Sequence, residues 1–199
     1  MSQTIEESPA VTPAPLKQLP LRYHHYAIPV RDMEVTRHFM EDILGLPLVA
    51  AWCETTPMLD SKVPISYVHA FFGLADGSVV AFFQFADKDY ERRVMRPSQP
   101  EIGRFDHLAL KSTRATIDEI IERCEKWNVP HRTTNHGYVK SIYVTSPDGL
   151  YLEFAEEPAD AGEMWKAMRA TAHADLKRWL AGDYSSHNKP YRYREFPKS

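Results

Sequence analysis

The chain has 199 residues, 43% apolar and 26% charged, enough for one core or for two small repeated units packed as one. Its 24 Lys and Arg against 27 Asp and Glu leave a net charge of −3, which excludes a nucleic-acid binder relying on a general basic field. No apolar run approaches the roughly 20 residues of a membrane helix, and Cys53 and Cys124 form neither a disulfide framework nor a zinc knuckle, so the expected compartment is the cytoplasm.

Residues 1–20 carry Pro9, Pro13, Pro15 and Pro20 among Ser, Thr and Gln, and read as a disordered N-terminal arm. Tyr26 to Val30 reads as a strand. Asp32 is a candidate N-cap for a helix with Val35, Phe39, Met40, Ile43 and Leu44 at helical spacing, stopped by Gly45 and Pro47. Ile65 to Phe72 is rich in β-branched and aromatic residues, Asp76-Gly77 makes a turn, and Val79 to Phe85 follows as another strand. Arg92, Arg93 and Arg96 then read as a solvated loop, or as a lid reaching for an acidic group.

The pattern restarts at Phe105 to Leu110, where His107-Leu-Ala-Leu echoes His25-Tyr-Ala-Ile. Thr116 with Glu119 suggests a capping box for a helix burying Ile117, Ile120, Ile121 and Cys124, ended by Asn128-Val-Pro130. Ser141 to Thr145, the turn Ser146-Pro-Asp-Gly149 and Leu150 to Phe154 complete it. The expected fold is therefore α+β: paired βαβββ modules, about residues 21–90 and 103–157, in one unit over 21–157. Residues 158–199 add a C-terminal helix and tail. The stripe Trp165, Met168, Ala172, Leu176, Trp179 predicts a helix over 160–181 that packs on the outer face of the sheet or across a dimer interface.

His25 and His107 occupy the same place in the two repeats. Glu153 stands in Tyr-Leu-Glu-Phe, where a carboxylate is costly unless it is paired or binds a cation. Two imidazoles and a carboxylate suit Fe(II), and equally Zn, Mn or Ni. Gln84, in Phe-Phe-Gln-Phe, is read as the first repeat's counterpart of Glu153: a weak fourth ligand, a donor to substrate, or a structural residue. Phe82, near Gln84, suggests an apolar or aromatic substrate.

These residues resemble the vicinal oxygen chelate superfamily of glyoxalases and extradiol ring-cleaving dioxygenases. The likeness rests on His25…Val-Arg-Asp32…Leu-Gly-Leu46 and on His107-Leu-Ala-Leu…Pro-Asp-Gly149…Glu153-Phe. It implies a cupped mixed sheet around a metal. The run Thr134-Asn-His136, Ile142-Tyr143, Ser146-Pro147-Asp-Gly149, Glu153 is similar to the extradiol dioxygenase signature, although Ser146 stands where that pattern prefers an acidic or amide residue. By this resemblance His25, His107 and Glu153 are metal ligands, and His136 and Tyr143 are catalytic groups beside a small aromatic diol and O2. A further acid–base His of the family falls at Ser78 here, and His69, one strand earlier, is a candidate to replace it; both are assigned to the substrate side of the site.

Three functions compete. The first is an Fe(II)-dependent extradiol-type dioxygenase. The second is a glyoxalase-like lyase or isomerase using a divalent metal, which generally wants a carboxylate where Gln84 stands. The third is a metal-free, antibiotic-sequestering binding protein. A homodimer or higher homo-oligomer is expected, without nucleic acid or membrane.

Overall fold

The computed structural model describes residues 16–57, 63–95, 105–186 and 195. Arg96 and most of the N-terminal arm lie outside these residues. Two four-stranded mixed sheets are built by the same path. In the first, β1 (His25–Pro29), β2 (Leu48–Pro57), β3 (Pro64–Gly73) and β4 (Val79–Phe85) stand in the order β1-β4-β3-β2. In the second, β5 (Leu108–Lys111), β6 (His131–Asn135), β7 (Lys140–Thr145) and β8 (Tyr151–Glu156) stand in the order β5-β8-β7-β6. The first and last strands of each sheet run parallel; the remaining pairs are antiparallel.

The crossover in the first sheet is α1 (Met33–Arg37), which continues as a wider π-turn over His38–Ile43. Asp32 caps it, its Oδ1 accepting from the backbone N–H groups of Glu34 at 2.9 Å and Val35 at 3.1 Å. The widening shows in the bond from Leu44 N–H to Phe39 O, five residues back. It turns Phe39, Met40, Ile43 and Leu44 into the core, whereas Val35, read from a regular helical period as buried, is exposed. Gly45 ends the segment at φ 79°, a left-handed conformation that a side chain opposes. A short α2 (Lys88–Val94) follows β4, capped by Asp87; its Arg92 pairs with Asp89, and Arg93 lies over the Tyr90 ring, so these two arginines belong to a helix rather than a loop.

The second crossover, α3 (Arg114–Lys126), starts earlier than a Thr116 cap predicts. Thr113 is the N-cap, its Oγ1 accepting from Thr116 N–H at 3.1 Å, and Glu119 pairs with Arg123 instead. Asn128, at φ 54°, closes the helix.

Val30, Phe39, Met40, Phe72, Val80 and Phe82 from the first unit share one hydrophobic cluster with Ile117, Ile120, Cys124, Ile142, Leu152 and Phe154 from the second. The helices meet where the His38 and Trp127 rings touch edge to face at 5.0 Å. Beyond this core, Arg31 Nη1 donates to Asp148 Oδ1 at 2.8 Å, tying the loop after β1 to the turn before β8.

The C-terminal helix, α4 (Ala161–Leu180), departs from expectation. Met164 is buried and Trp165 donates from Nε1 to Glu157, but Trp165, Leu176, Trp179 and Leu180 are exposed. Within one chain the stripe does not pack on the outer face of a sheet. No helix among the described residues is long and apolar enough to cross a membrane.

Phe82 is 1% exposed among Phe72 and the other residues of the shared cluster. Phe82→Ala should therefore lower the unfolding free energy by about 3–5 kcal/mol in urea titration, the cost of a large core cavity.

Candidate metal centre and substrate site

The pleat gives each strand a face toward its helix and a face away from it. In β4, Val80, Phe82 and Gln84 point to the helix side, and Val79, Ala81, Phe83 and Phe85 to the other. Gln84 is accordingly a structural residue: its Oε1 accepts from Met33 N–H at 2.7 Å, at the first turn of α1. Phe82 is core. Ser78 is 1% exposed and spent on the turn, its hydroxyl donating to Asp76 Oδ1 at 2.5 Å. These three residues are placed away from the open face of the sheet, so the geometry does not support the substrate role read for them.

Strand register also corrects the pairing of the repeats. Ala27 lies opposite Ala81 across β1 and β4, and Ala109 lies opposite Glu153 across β5 and β8. The first-sheet counterpart of Glu153 is therefore Ala81, not Gln84. Aligning the turns Asp76-Gly77 and Asp148-Gly149 gives the same answer, and this signal is present in the sequence.

On the open face of the second sheet, Glu153 is 6% exposed. His107 Nε2 stands 2.8 Å from its Oε2, and the Ser141 hydroxyl donates to its Oε1 at 2.5 Å. Tyr143 lies directly opposite Glu153 on β7. Burial, reinforced by the Glu153 charge, pushes the Tyr143 phenol well above its ordinary pKa, so it remains a proton donor. His136 Nε2 and the Tyr143 hydroxyl share a hydrogen bond of 2.7 Å. His107, Glu153, His136 and Tyr143 thus form one contiguous group.

His25 is not part of it. Its ring lies with His24, His69 and Phe71 on the first sheet, with the Nδ1 atoms of His24 and His25 2.8 Å apart. Among the described residues no group of three or more His, Cys, Asp or Glu comes together to hold a metal ion. The expected convergence of His25, His107 and Glu153 is thus not made within one chain: β1 and β5 belong to different sheets.

The face around His25 is aromatic. Trp52 stacks on Phe71 at 4.5 Å, and His69 stacks on Phe83 at 3.7 Å. Burial, with the nearby His25, depresses the His69 pKa and favours its neutral form. His69 Nε2 is buried without a hydrogen-bond partner among the described residues, which suits an imidazole aimed at a ligand better than one built into the core.

Two residues of the second face escape a motif-based reading. Ser141 sits two positions before Tyr143, so a period-two count along β7 finds it. Arg132 is on β6, opposite Tyr143, with its guanidinium carbon 4.6 Å from the ring centroid. Arg132 Nη1 donates to Thr134 Oγ1 at 2.6 Å and Nη2 to the Tyr151 hydroxyl at 3.2 Å.

Residues 22–154 match the family profile described as Glyoxalase/Bleomycin resistance protein/Dioxygenase superfamily. The chain belongs to this superfamily. Solved members of similar fold include a glyoxylase/bleomycin resistance protein/dioxygenase domain from Frankia sp. EAN1pec, 17% identical over 71% of this chain and 95% of that one, with a TM-score of 0.49. A mutant of the fosfomycin resistance protein FosX from Listeria monocytogenes, solved with Mn(II) and 1S,2S-dihydroxypropylphosphonic acid, is 17% identical over 69% of this chain and 93% of its own, at a TM-score of 0.47. Lactoylglutathione lyase from Agrobacterium tumefaciens is 19% identical over 70% and 96%, at 0.46. No curated protein matches the sequence.

Within this superfamily chain, the donor set at Glu153 suits a divalent ion: an imidazole and a carboxylate stand within ligand–ligand distance, and the carboxylate is steadied by Ser141. Gln84→Leu should lower stability by about 1 kcal/mol, the worth of one helix-start hydrogen bond, in urea titration. The same variant should take up as much Co(II) as the unaltered protein, whereas Glu153→Gln should take up less.

Proposed function

We propose that this protein is a metal-dependent, extradiol-type dioxygenase that opens a catechol-like aromatic diol with O2. The observation that carries this reading is the hydrogen-bonded His136–Tyr143 pair beside His107 and Glu153. His107 and Glu153 would hold Fe(II), with Zn, Mn or Ni suiting the same donors, and His25 of a second copy would supply the third ligand. When bound, such an ion supplies Lewis acidity and, as Fe(II), electrons for O2.

The chain's own groups have separable roles. Tyr143, held protonated, donates to a substrate oxygen. His136 donates from Nε2 to the Tyr143 oxygen and so fixes the direction in which that hydroxyl meets the substrate oxygen. Ser141 holds one oxygen of Glu153 and leaves the other toward His107. The aromatic face of Trp52, Phe71 and Phe83, brought by the second copy with its His25, covers the substrate ring and excludes water. A lyase or isomerase moving a proton between two carboxylates finds Ala81 at the position matched to Glu153, which favours the dioxygenase reading.

Protein purified without oxygen and loaded with Fe(II) should consume O2 with a catechol. His136→Ala and Tyr143→Phe should each lower kcat by about 10²-fold or more with iron content unchanged. Iron-loaded protein that consumes no O2 with monocyclic or bicyclic diols would overturn the reading.

The shared site makes a separate prediction. His25→Ala and Glu153→Ala should each be inactive alone. Unfolded together and refolded as a mixture, they should recover up to about a quarter of full activity, because half of the dimers are mixed and one of their two sites is intact. No recovery on mixing, with dimers shown to have exchanged by mass, would place all ligands in one chain.

A further inference from the structure

The arginines of the described structure divide by their partners. Arg31, Arg37, Arg92, Arg114, Arg123 and Arg178 each meet at least one carboxylate. Arg132 does not. Its direct contacts are neutral, the Thr134 and Tyr151 hydroxyls and the face of Tyr143, and the Glu153 charge acts on it without a hydrogen bond. A guanidinium on a solvated surface gains little from such neighbours and loses rotamer freedom to hold them. Here three contacts fix it on the face that carries Glu153 and the His136–Tyr143 pair, and two donors leave the rest of its planar fork uncommitted. The fork matches a carboxylate, two oxygens against two N–H groups.

We infer that Arg132 recognises an acidic group on the substrate, so that the molecule processed at this site is a ring bearing a carboxylate rather than a neutral diol. This inference rests on the proposed substrate site and deepens it. The stacked rings of Tyr143 and Tyr151, 5.2 Å apart and nearly parallel, hold the guanidinium from below and from its edge. Arg132 is here a specificity residue; it moves no proton.

The test compares charged and neutral probes on the full chain. In O2-uptake assays, 3,4-dihydroxybenzoate should have a lower KM than 4-methylcatechol. Arg132→Met keeps the apolar stem on Tyr143 and removes the fork. It should raise the KM for 3,4-dihydroxybenzoate by about 10–100-fold, the worth of a charge-assisted hydrogen bond pair, and leave the KM for 4-methylcatechol within about 3-fold. The kcat for both should change little, and Arg132→Lys should restore part of the discrimination. Equal rises for both substrates would show that Arg132 only braces Tyr143 and would overturn the inference.

A binding measurement separates this inference from the dioxygenase reading. Benzoate should bind at least about 10-fold tighter than benzamide by calorimetry, and Arg132→Met should abolish the difference. Discrimination without O2 uptake would sink the dioxygenase reading and keep the anion site. O2 uptake without discrimination would do the reverse.

Discussion

A pleated strand sends alternate side chains to opposite faces, and every site residue of this protein depends on which face it received. On the helix side lie Val80, Phe82, Leu152 and Phe154, which join the two units through one cluster. On the other side lie His25, Phe71, His69 and Phe83 in one sheet and His107, Tyr143, Ser141 and Glu153 in the other. A shift of one residue would send Glu153 into the apolar core, where an unpaired carboxylate costs several kcal/mol on the order of magnitude expected for a buried charge. Register is therefore held from both sides, by the core and by the site.

The duplicated units have diverged where they meet a ligand. Register matches Glu153 with Ala81, Tyr143 with Phe71, and Ser141 with His69. One face has kept a carboxylate and the hydroxyls that serve it. The other has become an aromatic wall with one histidine ring at its edge and one neutral imidazole among phenylalanines. The helix faces, by contrast, are alike, because both must fill a shared core at solid density.

The joint between the units is also mainly apolar. Arg31 and Asp148 clasp across it, but Arg31 is more than half exposed, and such pairs are worth about 1 kcal/mol or less. The buried residues of α1, its π-turn and α3 hold the units together. The exposed tryptophans and leucines of α4 leave a second apolar surface outside this joint.

The sequence by itself determined the repeat, the helices capped at Asp32 and closed at Asn128, and the strands of the core. Each depends on local chemistry: side-chain oxygens at helix starts, left-handed residues at helix ends, and runs of apolar residues. It did not place β2 and β6, edge strands without a fully buried residue, β2 exposed along nearly its whole length and β6 half-buried or exposed, which therefore lack hydrophobic alternation. Glu153 was legible as a carboxylate in an apolar strand and His107 through the repeat, whereas His136 and Tyr143 were legible only through the resemblance to the extradiol signature. Only the tertiary structure assigned Gln84 to a helix start, Phe82 to the core and Ser78 to a turn, since those outcomes turn on strand face and register. It alone brought Arg132 over Tyr143 and separated His25 from His107. Contacts of that kind join residues across neighbouring strands or different sheets, and no local pattern of residues along a chain reveals how two sheets lie against each other.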